Sequence, residues 1–221
     1  MKKSRILLGL TFLIFTVSQS FSQEHQLQQK SVIGIFETPN KTQSESFSSI
    51  NRWISLNYNS AQNVVQLNDQ EAGNIIVKGI NEVVYKNLMK EFYPNNKYMQ
   101  DFSTVKFNHT MEINIKDDKF RVIYTLGDIV TEAPMTGYEH ITDMVFDLID
   151  LTGLKEEPVE NYNNYLEETY KKAFIGKKKR QKMQELTRPV FEQVNQDVIA
   201  NIKMTMESIA KTVNSSADSD W

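Results

Sequence analysis

His140, Asp143 and Asp147 follow one another at steps of three and four residues. On a helix that spacing stacks them on adjoining turns of one face. Two carboxylates and an imidazole so placed can hold a divalent cation. Glu139 and Asp150 add acidic groups to the same segment. The plainer reading is a solvated polar face opposite Ile141 and Val145, and acidic residues early in a helix also suit its dipole. Asp69 and Glu71 are close enough to form an acid pair or to hold a ligand, although turn chemistry alone explains Asp69. Aromatic residues recur from Tyr85 to Phe102, and Tyr93 and Tyr98 among them suit either a binding loop or a loop packed by its own side chains. His109 has the chemistry of a general base. No serine or cysteine nucleophile motif accompanies it. A lone histidine on an apolar strand face is more often hydrogen-bonded at the margin of the core.

The basic run Lys177 to Arg180, with Lys171, Lys172 and Lys182 near it, would suit peripheral contact with an anionic envelope surface. It equally balances Glu156, Glu157, Glu160, Glu167 and Glu168. The chain has no Gly-rich phosphate loop and no zinc-type His-Glu motif. No catalytic residue and no cofactor is therefore assigned.

The elements that must position these residues are read from periodicity. Ser31 to Glu37 suits a short strand, and Gln23 to Lys30 before it reads as a mobile polar leader. Thr42 and Glu45 have capping-box spacing and open a helix. Phe47, Ile50, Ile54 and Tyr58 form its buried stripe, and Trp53 beside them belongs to the core. Residues 63 to 80 read as a β-hairpin. Val64, Val65 and Leu67 start it, and Ile75, Ile76, Val77 and Ile80 return. Gly73 supplies the reversal.

Val105 to Lys116 alternates strictly, with Val105, Phe107, His109, Met111, Ile113 and Ile115 on one face. Asp117 and Asp118 turn the chain. Phe120, Val122, Tyr124 and Leu126 alternate on the return, and Gly127 and Asp128 suit a bulge. A second capping-box pattern at Thr136 and Glu139 opens a helix with Tyr138, Ile141, Val145, Leu148 and Thr152 inward and Gly153 as its stop. The order strand, helix, four antiparallel strands, helix is an α+β domain over about 31 to 154.

Residues 155 to 214 read as a helical extension and 215 to 221 as a polar tail. Ile199, Ile202, Met206, Ile209 and Val213 keep 3-4 spacing for two heptads, too few for a coiled coil. That stripe needs a cover: the earlier tail helix, the domain or a second copy. The domain is expected to close near Leu154. The tail is then separable, and a protein partner or self-association through the C-terminal helices follows as an expectation.

Lys2, Lys3 and Arg5, the apolar run Ile6 to Val17, and Ser20, Phe21 and Ser22 make residues 1 to 22 a secretory signal peptide. Its removal takes the formal charge from −3 to −6. With no cysteine in the chain, a covalent lipid anchor at the cleavage site and disulfides are excluded. The expected location is periplasmic or secreted.

Trp53 and Ile54, then Val64, Val65, Gln66, Leu67, Asp69, Gly73, Ile75, Lys78 and Gly79, resemble a bacterial family of exported proteins of unknown function with a fold like the TATA-binding protein (TBP). The resemblance covers about 31 to 154 and implies the element order already read. It brings no catalytic residues, and the stretch from Asn81 to Phe102 departs from the family pattern. A fold shared with a DNA-binding protein does not carry DNA binding. The wet face of the strand at 105 to 116 mixes Lys106 and Lys116 with Glu112, Asn108, Asn114 and Thr110, which is no basic saddle. Together with the net negative charge this argues against nucleic acid. The expectation is an exported envelope protein acting as a non-enzymatic binding or protein-association module. The alternative is a hydrolase-type or metal-assisted enzyme using the acidic face of the helix at 138 to 152.

Overall fold

A computed structural model describes residues 24–87, 90, 93–130, 149–172 and 174–215. The signal peptide and most of the helix expected at 138 to 152, with His140, Asp143 and Asp147, lie outside the described residues. In chain order the elements are β1 (Glu24–Leu27), β2 (Ser31–Glu37), α1 (Gln43–Asn57), α2 (Ala61–Val64), β3 (Val65–Asp69), β4 (Asn74–Lys86), β5 (Phe102–Lys116), β6 (Lys119–Ile129), α3 (Glu156–Lys172) and α4 (Lys177–Ser215). The strands form one sheet in the order β1-β2-β6-β5-β4-β3. Every neighbouring pair is antiparallel.

One face of this sheet is dry. Val105, Phe107, Met111, Ile113 and Ile115 of β5 are buried, as are Phe120, Val122, Tyr124 and Leu126 of β6. Val32 and Phe36 of β2 and Ile75, Val77 and Val83 of β4 extend the layer on either side. These are the residues that period-two alternation assigns to the inner face. The expected bulge is present: two steps along β5, from Phe107 to His109, oppose three along β6, from Ile129 to Leu126.

Two strand starts differ from expectation. Glu24 to Leu27 is a strand and not a mobile leader, pairing along β2 from Glu24↔Ile35 to Leu27↔Val32. Ladder hydrogen bonds come from the backbone, so a polar segment pairs without an apolar pattern to announce it. Val64 closes the short helix α2, and β3 begins at Val65. The β3–β4 turn is built as expected. Gly73 has φ +66°, and a Cβ there would lie 2.4 Å from the Ile115 carbonyl oxygen, so only glycine fits.

α1 carries the full capping box, with the Thr42 and Glu45 side chains each bonded to the other's backbone N–H. Phe47, Ile50, Trp53 and Ile54 are buried beneath it. Trp53 is core: its Nε1 donates to Ser208 Oγ of α4 at 3.0 Å. The described end of the expected second helix is a turn and not helical. There Asp150 Oδ1 accepts from the Thr152 N–H at 3.0 Å and from its hydroxyl at 2.5 Å. A side chain that satisfies the backbone locally competes with helix at that position.

The C-terminal helix corrects the domain boundary. α4 is 39 residues long, and Pro189 lies inside it. The bend of the tail hairpin therefore falls between α3 and α4, near Gly176. Val194, Val198, Ile202, Met206, Ile209, Ala210 and Val213 join the same core as the sheet and α1. A smaller core of Val159, Tyr162, Leu166 and Phe191 ties α3 to α4. The stripe from Ile199 to Val213 is thus covered by the domain itself. The core therefore does not close at Leu154.

Truncation after Leu154 is accordingly expected to abolish a cooperative denaturant melt. Ile202→Ala should cost about 2–5 kcal/mol as a buried large-to-small change. Lys116→Ala, at an exposed strand end, should cost less than about 0.5 kcal/mol. A truncated chain that still melts cooperatively would restore the tail as an appendage.

Candidate functional site

β4 outruns β3. Past Val77 its outer side has no strand neighbour among the described residues. Here the end of α1 and the α2 segment approach β4, and a cleft of about 630 Å³ opens across β4, β5 and the β6 bulge. Tyr58, Asn63, Gly79, Asn108, His109 and Asp128 are among its lining. Gly79 pairs directly with His109. A Cβ on Gly79 would lie 2.7 Å from Tyr58 Cε1 and 2.8 Å from His109 Cε1. The glycine is therefore what lets the two rings close over the sheet.

His109 is only 4% exposed. Its Nε2 and the Tyr58 hydroxyl oxygen share a hydrogen bond of 2.9 Å. Its ring stacks on Tyr124 with centroids 4.7 Å apart and planes 12° apart. The Tyr124 hydroxyl accepts from Asn81 Nδ2 at 2.8 Å, and the same amide donates to Asn201 Oδ1 of α4 at 2.7 Å. This chain of polar groups links α1, β5, β6, β4 and α4. One atom stays unmet: His109 Nδ1 is buried with no hydrogen-bond partner among the described residues. Either tautomer leaves it so, as a bare donor or a bare acceptor.

Burial sets the ionisation of these groups. It lowers the His109 pKa to about 4 and pushes the Tyr58 hydroxyl up to about 12. The Tyr124 hydroxyl is raised by burial too, partly offset by the Asn81 hydrogen bond. His109, Tyr58 and Tyr124 are therefore neutral at physiological pH and act as hydrogen-bonding groups.

The residues singled out in the sequence lie elsewhere. Asp69 and Glu71 sit in the exposed β3–β4 turn, away from this cleft. Asp69 Oδ1 accepts the Ala72 N–H at 2.9 Å, and the Glu71 carbonyl accepts from Gln43 Nε2 at 3.3 Å. The first contact is turn chemistry, and the second ties the turn to the start of α1. The loop aromatics also diverge: Tyr93 lies under the Lys179 ammonium, 3.8 Å from its ring centroid, while Tyr98 is 96% exposed. Lys177 to Arg180 open α4, where Arg180 pairs with Glu167 at 2.9 Å and also donates to the Ile175 carbonyl. Among the described residues given a chemical role from the sequence, His109 is the one that the fold brings to the cleft. Its partner Tyr58 read only as the last residue of a helical stripe. The available signal was a glycine inside a strand, since such glycines often mark close approach.

Residues 34–131 match the model of a family described as a domain of unknown function (DUF4468) with TBP-like fold. The β4–β5–β6 meander and its cleft fall within the matched residues, whereas α3 and α4 lie outside them. Among solved structures the chain is similar to a DUF4468 family protein from Bacteroides ovatus ATCC 8483, at 13% identity and a TM-score of 0.35, covering 44% of this chain and 53% of that one. It is also similar to a TBP-like protein from Parabacteroides distasonis ATCC 8503, at 19% identity and a TM-score of 0.35, covering 49% of this chain and 61% of that one. The chain thus spans little more than half the length of each. No curated protein matches it.

The buried histidine gives a pH test. Its folded pKa of about 4 lies below the ordinary 6.5, so between those values the unfolded chain binds a proton that the folded chain does not. The stability it contributes is whole above that window and is lost as pH falls through it. A shift of this size corresponds to about 3 kcal/mol at most. The His25 pKa is also lowered, by burial first and then by Lys203, so a difference isolates His109. Denaturant melts should show the wild type losing more stability than His109→Phe as pH is lowered through the window. Parallel losses would mean that His109 titrates as an exposed residue does.

Proposed function

We propose that this chain is an exported, non-enzymatic binding module whose DUF4468 domain holds a small, neutral, polar ligand in the cleft over Gly79 and His109. The observation that carries the reading is the cleft itself, in which Asn59, Ser60, Asn63, Asn108 and Thr110 line a concavity beside His109. This lining favours an uncharged ligand. Asn59, Ser60, Asn63, Asn108 and Thr110 offer hydroxyls and amides, while Lys78 and Asp128 oppose one another in sign. A few placed polar groups in a concavity is how small-molecule sites fix orientation. An imidazole of such low basicity is a poor general base near neutral pH, which favours binding over catalysis.

Export rests on the basic, apolar and small-residue order of residues 1 to 22. N-terminal sequencing of the protein from its own host should begin near Gln23, and a mature chain starting at Met1 would refute export. The cleft is tested by thermal shift of purified protein against neutral sugars and small amides. A ligand of the cleft should raise the melting temperature of the wild type and lose that effect in Asn108→Trp, which fills the cleft from an exposed position. Equal stabilisation of both proteins would place the ligand elsewhere.

A further inference from the structure

The turn between α3 and α4 places a phenylalanine where glycine is usual. The Ile175 N–H donates to the Tyr170 carbonyl at 3.0 Å, and the Phe174 N–H to the Lys171 carbonyl at 3.2 Å. That pair of bonds closes a helix with one left-handed residue, here Phe174 at φ +56°. Glycine is favoured there because a Cβ is crowded in that conformation, and a bulky side chain most of all. The ring gains no packing in return, since Phe174 is 98% exposed.

The residues around it carry one sign of charge. Between Glu168 and Glu185 the sequence has seven cations and no acid. Two of them are used within the fold: Arg180 pairs with Glu167, and the Lys179 ammonium lies over the Tyr93 ring. Lys171 and Lys172 before the ring, and Lys177, Lys178 and Lys182 after it, are exposed and form no ion pair among the described residues. Glu168 is exposed one turn before Lys172. The other acids of α3 lie toward its far end, where Glu156 meets Arg188. Glu160 is about 18 Å from Lys172 along the helix axis. Charges at that distance are screened from one another, because the Debye length is about 8 Å in physiological salt. A surface approaching this turn therefore meets cations, although the formal charge of the chain is −3.

Area decides which surface that is. One phenyl ring offers at most about 200 Å². A stable protein interface needs roughly 800 Å² on each side. A bilayer surface needs less: an apolar ring at headgroup depth and a few cations facing anionic lipid. Long lysine stems let the ammonium groups stay among the headgroups while the ring goes deeper. We infer that the α3–α4 turn is a membrane-docking tip, in which Phe174 enters the headgroup region of an anionic lipid bilayer and Lys171, Lys172, Lys177 and Lys178 meet the lipid phosphates. The tip shares no residue with the cleft over Gly79, so neither reading depends on the other.

Vesicle co-sedimentation of protein purified from its own host tests it. Vesicles of phosphatidylcholine alone are compared with an equal mixture of phosphatidylcholine and phosphatidylglycerol. The wild type should sediment with the mixed vesicles, stay free of the neutral ones, and be released as added salt screens the lysines. Phe174→Gly is the decisive variant. It removes the ring and suits the positive φ, so the melting temperature should hold or rise while vesicle binding falls about tenfold. The double variant K177E/K178E should weaken binding at least as much. Acidic residues in the first turn of α4 suit its dipole, so that variant should keep its melt. A wild type that stays free of anionic vesicles, or binds both kinds equally, overturns the proposal. So does a glycine variant that binds like the wild type, or one that melts earlier and so gives the ring a place in the fold. Retention on immobilised polyglutamate without binding to anionic vesicles overturns it too, and assigns the tip to an acidic protein.

Discussion

The inward face of a six-stranded sheet must be kept from water, and α1 alone is too short to do it. Fifteen residues of helix span about 22 Å, while six strands at their usual spacing are about as wide and the long strands β4 and β5 run well beyond that in the other direction. α4 supplies what is missing. At 39 residues it is about 58 Å long. Its C-terminal half lays Val198, Ile202, Met206, Ile209 and Val213 against the strands. The Trp53–Ser208 hydrogen bond joins the two covering helices, and the Asn81–Asn201 bond fixes α4 against β4. Placement of the cleft follows from this cover, because Asn81 also holds the Tyr124 hydroxyl under the His109 ring.

Where local pattern and tertiary packing agree, the fold was legible. Strict alternation in β5 and β6, the Thr42–Glu45 capping box and Gly73 in its turn each state their own structure, since period, cap and positive φ are local requirements. β1 was not legible. Glu24, His25, Gln26 and Leu27 have no apolar alternation, and only the free edge of β2 makes a strand of them. The role of α4 was half legible: a 3-4 stripe says that a face is buried but not against what. The match of residues 34–131 to the TBP-like family bears out the fold that the hairpin motif suggested.

The site was legible only as one residue. A histidine on an apolar strand face reads as a core-margin histidine, and that is what it is: buried, neutral and hydrogen-bonded. Its partner lies 51 residues away in sequence, so no motif spacing connects them. Asp69 serves the β3–β4 turn instead, Tyr93 meets Lys179 of α4, and Tyr98 is exposed. Groups that share a sequence segment need not share a concavity, whereas a glycine opposite a histidine on neighbouring strands places space and chemistry together.

The position of α4 in the chain also governs when this protein can fold. The last strand of the sheet ends at Ile129, and the residues that seal its inner face run to Val213. During synthesis the apolar face of the sheet is therefore without its lid for on the order of ten seconds, given usual elongation rates. A chain whose lid follows its sheet in sequence is held back from its final form until that helix has emerged. It is open to chaperones throughout that interval, and to aggregation where they are absent.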